Sequence, residues 1–430
     1  MIGTFPAGIS SRWRKAGGME NAAYYKQTPI MRRILEYTDG AVSISGTNPL
    51  KKDDKFFRRY DDILEAMGDG CDLYRSMLDF KGPLLALDLE YGNSAHPGEI
   101  FHKTLETFQK FEPTRLAARN ILNEHGIEHV ELMTGQGYNY VMRVPRTSPT
   151  YKSLLTIGSK LHVLNRSTLD ALEQKERQFG NVPLVTDSIV FAAFGRVTDY
   201  LVEEIKTRSE LLLRTTDLFD SEEIAIFDTT LYGYLFNRRS IRTAFSLHQK
   251  TRMKEIYNYD GPAIVAIPVA GVPLEERLKI RQDEREHYRR AVQFADEVRC
   301  EIPAANLGSL LVTYMTSPVY DRHLDFSRQL QREDPNRWNL PEWPELEAKM
   351  RGAGLDQETL DILAMPNPQL LQPWWLRHVI RSLREHGFSF AEVVGMITTK
   401  YNAQFNWHED LVKSNSALRA EYWTRTLWEV

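Results

Sequence analysis

The run Leu84-Leu85-Ala86-Leu87-Asp88-Leu89-Glu90 constrains this chain most. It is apolar on both alternations until its last residues, where polar side chains enter at every second position. A buried strand whose C-terminal end turns polar has that pattern. Side chains at i and i+2 of a strand share a face, so Asp88 and Glu90 project together. Paired carboxylates repel unless a cation or a base lies between them. Magnesium or manganese, which prefer oxygen ligands, would fit there. An isolated D-x-E is more often a strand running into solvent, so the pair needs company to carry a function.

Company lies further along. Glu223–Asp228 reads as a second strand ending on an acid, Asp228. In a mixed sheet it could stand beside the first pair and complete a site for two-metal nucleotidyl transfer. Between them, Glu128–Met133 and Tyr138–Val144 read as hairpin arms joined by Thr134-Gly135-Gln136-Gly137. Glycines in such a turn let backbone N–H groups approach a phosphate, although ordinary hairpins use the same residues. After the second acid, Arg242-Thr243-Ala244-Phe245-Ser246-Leu247-His248-Gln249-Lys250 gathers the residue types that bind triphosphate. Read alone, a solvated basic loop fits this stretch as well.

The surrounding chain reads as mixed helix and strand. Residues 1–80 are expected to be mixed and mostly helical, with Met31–Tyr37 and Tyr60–Met67 as short amphipathic segments. Helices are expected over about 97–111 and 113–125, with Pro113 opening the second and Gly126 ending it. Residues 148–212 read as helices. Thr229–Phe245 reads as a second hairpin or a strand–loop–strand, and Ala263–Val269 as an apolar strand. Leu274–Val298 reads as one long charged helix. A domain boundary is expected near 300, with a Pro-containing stretch of helices over 300–355. A C-terminal helical domain follows at 355–430.

Composition narrows the function class. No run of about 18 apolar residues occurs, so no membrane partner is expected. No apolar stretch follows Arg12, Arg14 and Lys15, so a secretory signal is not expected. Cys71 and Cys300 are the only cysteines, which excludes a disulfide framework and a four-cysteine zinc site. A reducing cytoplasm is the expected compartment, of a microbe or of a cell harbouring a virus or plasmid. The net charge of −4 argues weakly against nucleic acid. Its distribution points the other way: residues 1–60 hold 11 Lys/Arg against 5 Asp/Glu, and Arg238–Lys254 is basic again. His96, His102, His125 and His129 have no metal-ligand spacing. Trp374, Trp375, Trp407, Trp423 and Trp428 read as core residues before base-stacking ones. Phe388–Val394 could open the second helix of a helix-turn-helix or simply pack.

Taken in order, these motifs resemble the archaeo-eukaryotic primase superfamily. Leu87-Asp88-Leu89-Glu90 matches that family's apolar strand ending in D-x-D or D-x-E. Thr134-Gly135-Gln136-Gly137-Tyr138-Asn139 takes the place of its S-G-x-G-x-H turn, and Phe227-Asp228 matches its third motif. Ser246-Leu247-His248-Gln249-Lys250-Thr251 looks like its P-G-S-L-H-x-K-T string. Asp72-Leu73-Tyr74-Arg75-Ser76 is similar to the strand before the first motif. Arg58 and Arg59 stand where members often carry an arginine. The resemblance spans about residues 20–270.

It implies an α+β catalytic core of mixed and antiparallel sheets flanked by helices over 1–300, with an RRM-like half, followed by the C-terminal helical domain. The implied activity is that of a DNA primase or primase-polymerase on a single-stranded DNA template with ribo- or deoxyribonucleoside triphosphates. Asp88, Glu90 and Asp228 would hold two Mg²⁺ or Mn²⁺ ions. Gln136, Gly137, Tyr138 and Asn139, with Arg242, Ser246, His248 and Lys250, would bind the nucleotide. Arg58, Arg59, Arg238 and Arg239 would contact nucleic acid. No zinc is expected. A helicase would have to be a separate partner, since no G-x-x-x-x-G-K-[ST] string occurs. The departure is Asn139, which replaces the family's histidine and cannot carry its positive charge. It motivates the alternative of a non-synthesising nucleic-acid-binding protein on the same fold, serving replication initiation, plasmid maintenance or defence.

Overall fold

The computed structural model describes residues 21–47, 56–59, 62–93, 95–96, 98–164, 166–179, 182–214, 223–228, 231–232, 236, 239–249, 259, 261–283, 286–333, 343–364, 373–402, 420–421, 424–425 and 427–428. The chain forms two compact units, 1–156 with 176–314, and 157–175 with 315–430. Residues 300–314 therefore group with the first unit.

In chain order the elements are α1 (Asn21–Tyr25), α2 (Thr28–Thr38), β1 (Ser43–Thr47), β2 (Phe56–Arg59), α3 (Ile63–Gly68), β3 (Asp72–Ser76) and β4 (Leu84–Gly92). Then come α4 (Glu99–His102), α5 (Thr104–Glu124), β5 (Val130–Met133), β6 (Gly137–Arg143), α6 (Pro149–Lys160), α7 (Arg166–Phe179) and α8 (Leu184–Lys206). Next are β7 (Leu212–Arg214), β8 (Ile224–Phe227), β9 (Ser240–Arg242), β10 (Leu247–His248), β11 (Ile264–Val265), β12 (Ile267–Pro268), α9 (Leu274–Gln282) and α10 (His287–Glu297). Then follow α11 (Gly308–Met315), α12 (Pro318–Glu333), α13 (Trp343–Ala353), α14 (Gln357–Ala364), α15 (Pro373–Glu385) and α16 (Phe390–Asn402).

The first unit is α+β. Its six-stranded sheet runs β12-β5-β6-β4-β8-β7, antiparallel except for the β7–β8 pair. A four-stranded antiparallel sheet runs β2-β1-β3-β9. β4 is interior to its sheet, which explains its continuous apolar run. Leu84, Leu85, Ala86, Leu87 and Leu89 are all buried. Tyr138 and Tyr140 point toward α5 from β6: the Tyr138 hydroxyl meets Glu112, and the Tyr140 hydroxyl donates to the Arg115 carbonyl.

Four expectations are corrected. Among the described residues of 1–80, helices do not dominate, because β1, β2 and β3 stand beside three helices there. Ser43-Ile44-Ser45-Gly46-Thr47 lacks an apolar period, and its pairing with β2 and β3 holds it as a strand. Residues 104–124 form one helix with Pro113 inside it, and the segment before it is the short α4. Pro113 lacks an N–H and cannot donate within the helix. The buried stripe of Phe108, Phe111, Arg115, Ala118 and Leu122 runs across it, so packing outweighs the local break. The long helix expected over 274–298 is two helices, α9 and α10. Its interruption follows Asp283, whose carboxylate accepts the Glu286 N–H at 3.3 Å. Ala263–Val269 is two strands in different sheets: β11 pairs with β10, and β12 with β5. Ala266, between them, accepts from Phe245 N–H at 2.6 Å and donates to the Ser246 carbonyl at 2.9 Å. The change of sheet at Ala266 leaves no polar mark in the sequence.

Among the described residues the second unit is helical. Phe388, Phe390, Val393 and Val394 are buried. Ser389 and Glu392 exchange N–H bonds in a capping box that opens α16. Phe390 meets the Trp428 ring edge-on at 5.5 Å. No described helix is long and apolar enough to cross a membrane.

Candidate functional site

The site is built from strand alternation and register. In β4, Ala86, Asp88 and Glu90 share one face. Pairing with β6 sets Asn139 opposite Asp88 and Gly137 opposite Glu90. On the other side, Leu89 is paired with Phe227, so Asp228 follows in register beside Asp88, and its N–H donates to the Asp88 carbonyl at 2.9 Å. Asn139, Asp88 and Asp228 thus form a row across three strands, with Glu90 one step along. The Asn139 amide donates to the Asp88 carboxylate at 2.6 Å.

Gly137 is required where it stands. A Cβ there would lie 1.9 Å from the Leu89 carbonyl oxygen and 2.8 Å from the Glu90 Cα. The Thr134–Gly137 turn closes with Thr134 N–H donating to the Gly137 carbonyl at 2.7 Å. Gly135 lies against the His248 imidazole: a Cβ there would be 1.8 Å from Nδ1. Two motifs far apart in sequence, the glycine turn and the string containing His248, therefore touch.

The four-stranded sheet supplies Tyr74 and Arg242. The Arg242 guanidinium lies 4.6 Å over the Tyr74 ring, donates to its hydroxyl, and pairs with Asp72 at 3.2 Å. Asp72 also accepts from the backbone and side chain of Gln249, which fixes the string after His248. Burial lifts the Tyr74 phenol to about 12, with the Glu90 and Asp88 charges adding to the rise. Ser246 is buried, and its hydroxyl accepts the Leu73 N–H at 2.7 Å. The residue before it, Phe245, has φ +59°. The resembling string carries glycine at that position, and Phe245 holds the left-handed conformation that glycine would adopt freely.

Burial pushes the Asp88 carboxyl well above its usual range, and the neighbouring Glu90 and Asp228 charges push it further. The Asn139 bond and the Arg242 charge offset this only in part. An all-oxygen donor set with its central carboxylate so raised suits a hard divalent cation. Among the described residues, the trio with ligand atoms all within 4.8 Å of one another is a different one, Asp356, Glu358 and His378. Asp356 there caps α14 through Thr359 and accepts from Ser382 on α15, so its carboxylate has a structural task.

The charge on Asp88 sets a pH dependence. Its native carboxyl titrates above the unfolded value of about 3.9, so native protein keeps a proton that the unfolded chain has lost. Metal-free stability therefore falls as pH rises through the native value. Asp88→Asn is expected to raise the melting temperature of metal-free protein at neutral pH, with the gain vanishing toward about pH 4. Thermal melts in chelator at both pH values read this. Identical melts of the two proteins at neutral pH would contradict it.

The other expected site residues fall as follows. Tyr138 alternates with Asn139, so its side chain points to the opposite face and meets Glu112 and Arg277. Gln136 contributes its carbonyl to the Tyr91 N–H. Arg58 and Arg59 lie on β2 at the edge of the four-stranded sheet. The Arg239 carbonyl accepts the Met77 N–H. Arg238 and Lys250 lie outside the described residues. The sequence reading missed Tyr74 as a site residue, although it belongs to a string that was singled out. It also missed Arg281, whose Nη2 donates to the Gly135 carbonyl at 2.8 Å.

No protein-family model matches this chain, and no curated protein matches it. Among solved structures it is similar to the polymerase domain from Mycobacterium tuberculosis Ligase D in complex with DNA. The identity is 10% and the TM-score 0.40, over 72% of this chain and 98% of that one. At that TM-score the functional reading rests on the site's own geometry.

Proposed function

We propose that this chain is a template-directed nucleotidyltransferase that makes or extends primers on single-stranded DNA. The observation that carries the reading is the row of Asn139, Asp88 and Asp228 with Glu90 alongside. The sheet brings acids distant in sequence to one face; the Arg242 charge is felt at Asp88, and the Asp88 and Glu90 charges are felt at Tyr74.

Asp88, Glu90 and Asp228 would hold Mg²⁺ or Mn²⁺. Such ions make a 3′-hydroxyl a better nucleophile and neutralise a leaving pyrophosphate. Asp88 is central and would be shared. Asn139 fixes its carboxylate in one orientation without adding charge. Arg242, already held by Asp72 and Tyr74, offsets part of the acidic charge without collapsing onto it. The Thr134–Gly137 turn, backed by His248, would receive the nucleotide's phosphates on backbone N–H groups. Little proton transfer by the protein is needed; positioning and charge do most of the work. Arg58, Arg59 and Arg239 would meet the template backbone, so binding should weaken as salt rises.

The test is incubation with single-stranded DNA, labelled ribo- or deoxyribonucleotides, and Mn²⁺ or Mg²⁺, with and without a primer. Template-dependent product is expected. Template binding without product under every nucleotide and metal condition would favour the non-synthesising binder instead.

A further inference from the structure

Two arginines one turn apart on α9 differ sharply in their surroundings. Arg277 is buried and neutralised by a carboxylate: it pairs with Glu112 at 2.8 Å and donates to the Tyr138 hydroxyl at 3.1 Å, although its Nε has no partner among the described residues. Arg115 joins the same network, between Glu112 and Glu131. Two cations there face two carboxylates. Arg281 is 0% exposed, yet among the described residues its only hydrogen bond is to the neutral Gly135 carbonyl, and its Nε and Nη1 have no partner there. Its guanidinium lies 4.7 Å over the Phe108 ring. No carboxylate among the described residues neutralises it. Burial, offset in part by Tyr138 and Tyr259, drops its pKa to about 10, which still leaves it charged at neutral pH.

An uncompensated buried cation is costly, and an apolar residue of similar size usually serves the fold as well or better. Its place gives a reason to keep it. It lies directly behind the Gly135 carbonyl, in a glycine turn that also has the His248 ring against it. A turn of this kind presents N–H groups to an anion, and a positive charge behind it deepens the attraction.

We infer that Arg281 is the fixed counter-charge of a polyphosphate site on the Thr134–Gly137 turn, acting through the turn rather than by touching the ligand. The inference rests on the nucleotide-binding reading only for what carries the polyphosphate. Arg281 is thus a positioning residue: it holds the Gly135 carbonyl inward and leaves the opposite side of the turn for the anion. The fold buries a charge that no carboxylate among the described residues neutralises, and the bound anion balances it across the turn.

The test uses full-length protein in chelator, so that neither metal binding nor synthesis enters. Binding of inorganic tripolyphosphate and of a nucleoside triphosphate is measured by calorimetry, and melting temperature is measured beside it, for wild type, Arg281→Met and Arg281→Lys. Wild type is expected to bind both ligands. Arg281→Met is expected to melt at or above the wild-type temperature while losing affinity by about tenfold. Arg281→Lys, which keeps the charge, should retain most of it. A nucleoside triphosphate that binds while tripolyphosphate does not would remove the polyphosphate as the recognised group. Equal binding by wild type and Arg281→Met overturns the inference. So does a variant that melts well below wild type, because Arg281 would then be a structural residue. Failure of the protein to synthesise DNA leaves these results intact.

Discussion

Asp88→Ala and Asp228→Ala are each expected to lower nucleotide incorporation by about 10³-fold or more while leaving the protein folded. Each change removes a carboxylate from the cross-strand row where the two strands present acids on one face. The Asp88→Ala protein should melt no lower than wild type without metal. That change removes a carboxyl held against burial and two like charges. The pairing of lost activity with retained stability is the signature of a site residue. Incorporation within a few-fold of wild type in either variant would remove the acids from the chemistry. Loss of the folded state would make them structural.

Gly137→Ala should act through the fold. The added Cβ would meet backbone on β4, the Leu89 carbonyl at 1.9 Å and the Glu90 Cα at 2.8 Å. Backbone in an interior strand cannot swing aside as a side-chain tip can. β6 would have to part from β4 at the point where Asn139 meets Asp88. A cost of about 3 kcal/mol or more is expected. That corresponds to a fall in melting temperature of more than about 6 °C. Gly135→Ala meets a side chain, His248, which can turn, so it should be milder in stability. A Gly137→Ala protein that melts with the wild type would show that the β4–β6 contact is looser than described.

Much of the site could be read before the structure because strand alternation is a strong local signal. Asp88 and Glu90 sit two apart at the end of an apolar run, and Asp228 closes another. What alternation could not supply was the register that sets Asp228 beside Asp88, since that depends on pairing between distant segments. The same alternation, applied to β6, separates Tyr138 from Asn139, and the sequence reading grouped them. Pro113 reads as a helix start from local propensity alone, which takes no account of the buried stripe that carries α5 past it. The β11–β12 division was invisible because both halves are apolar. Arg281 gave no sign at all. Its interest lies in a partner it lacks among the described residues, and that is a property of the packed structure.

Asn139 reads differently once the contact is known. Its amide is bonded to Asp88, so it orders a carboxylate of the row. A neutral residue there leaves the row with more net negative charge than a cationic one would. Demand for a divalent ion at Asp88 should therefore be high.

The central claim is that this row is a metal centre, and anomalous scattering from crystals soaked in Mn²⁺ tests it most directly. The account predicts a strong peak bound by Asp88 and Asp228, with Glu90 at the same site. Ordered crystals with full Mn²⁺ occupancy at Asp356, Glu358 and His378 and none at the row would contradict it.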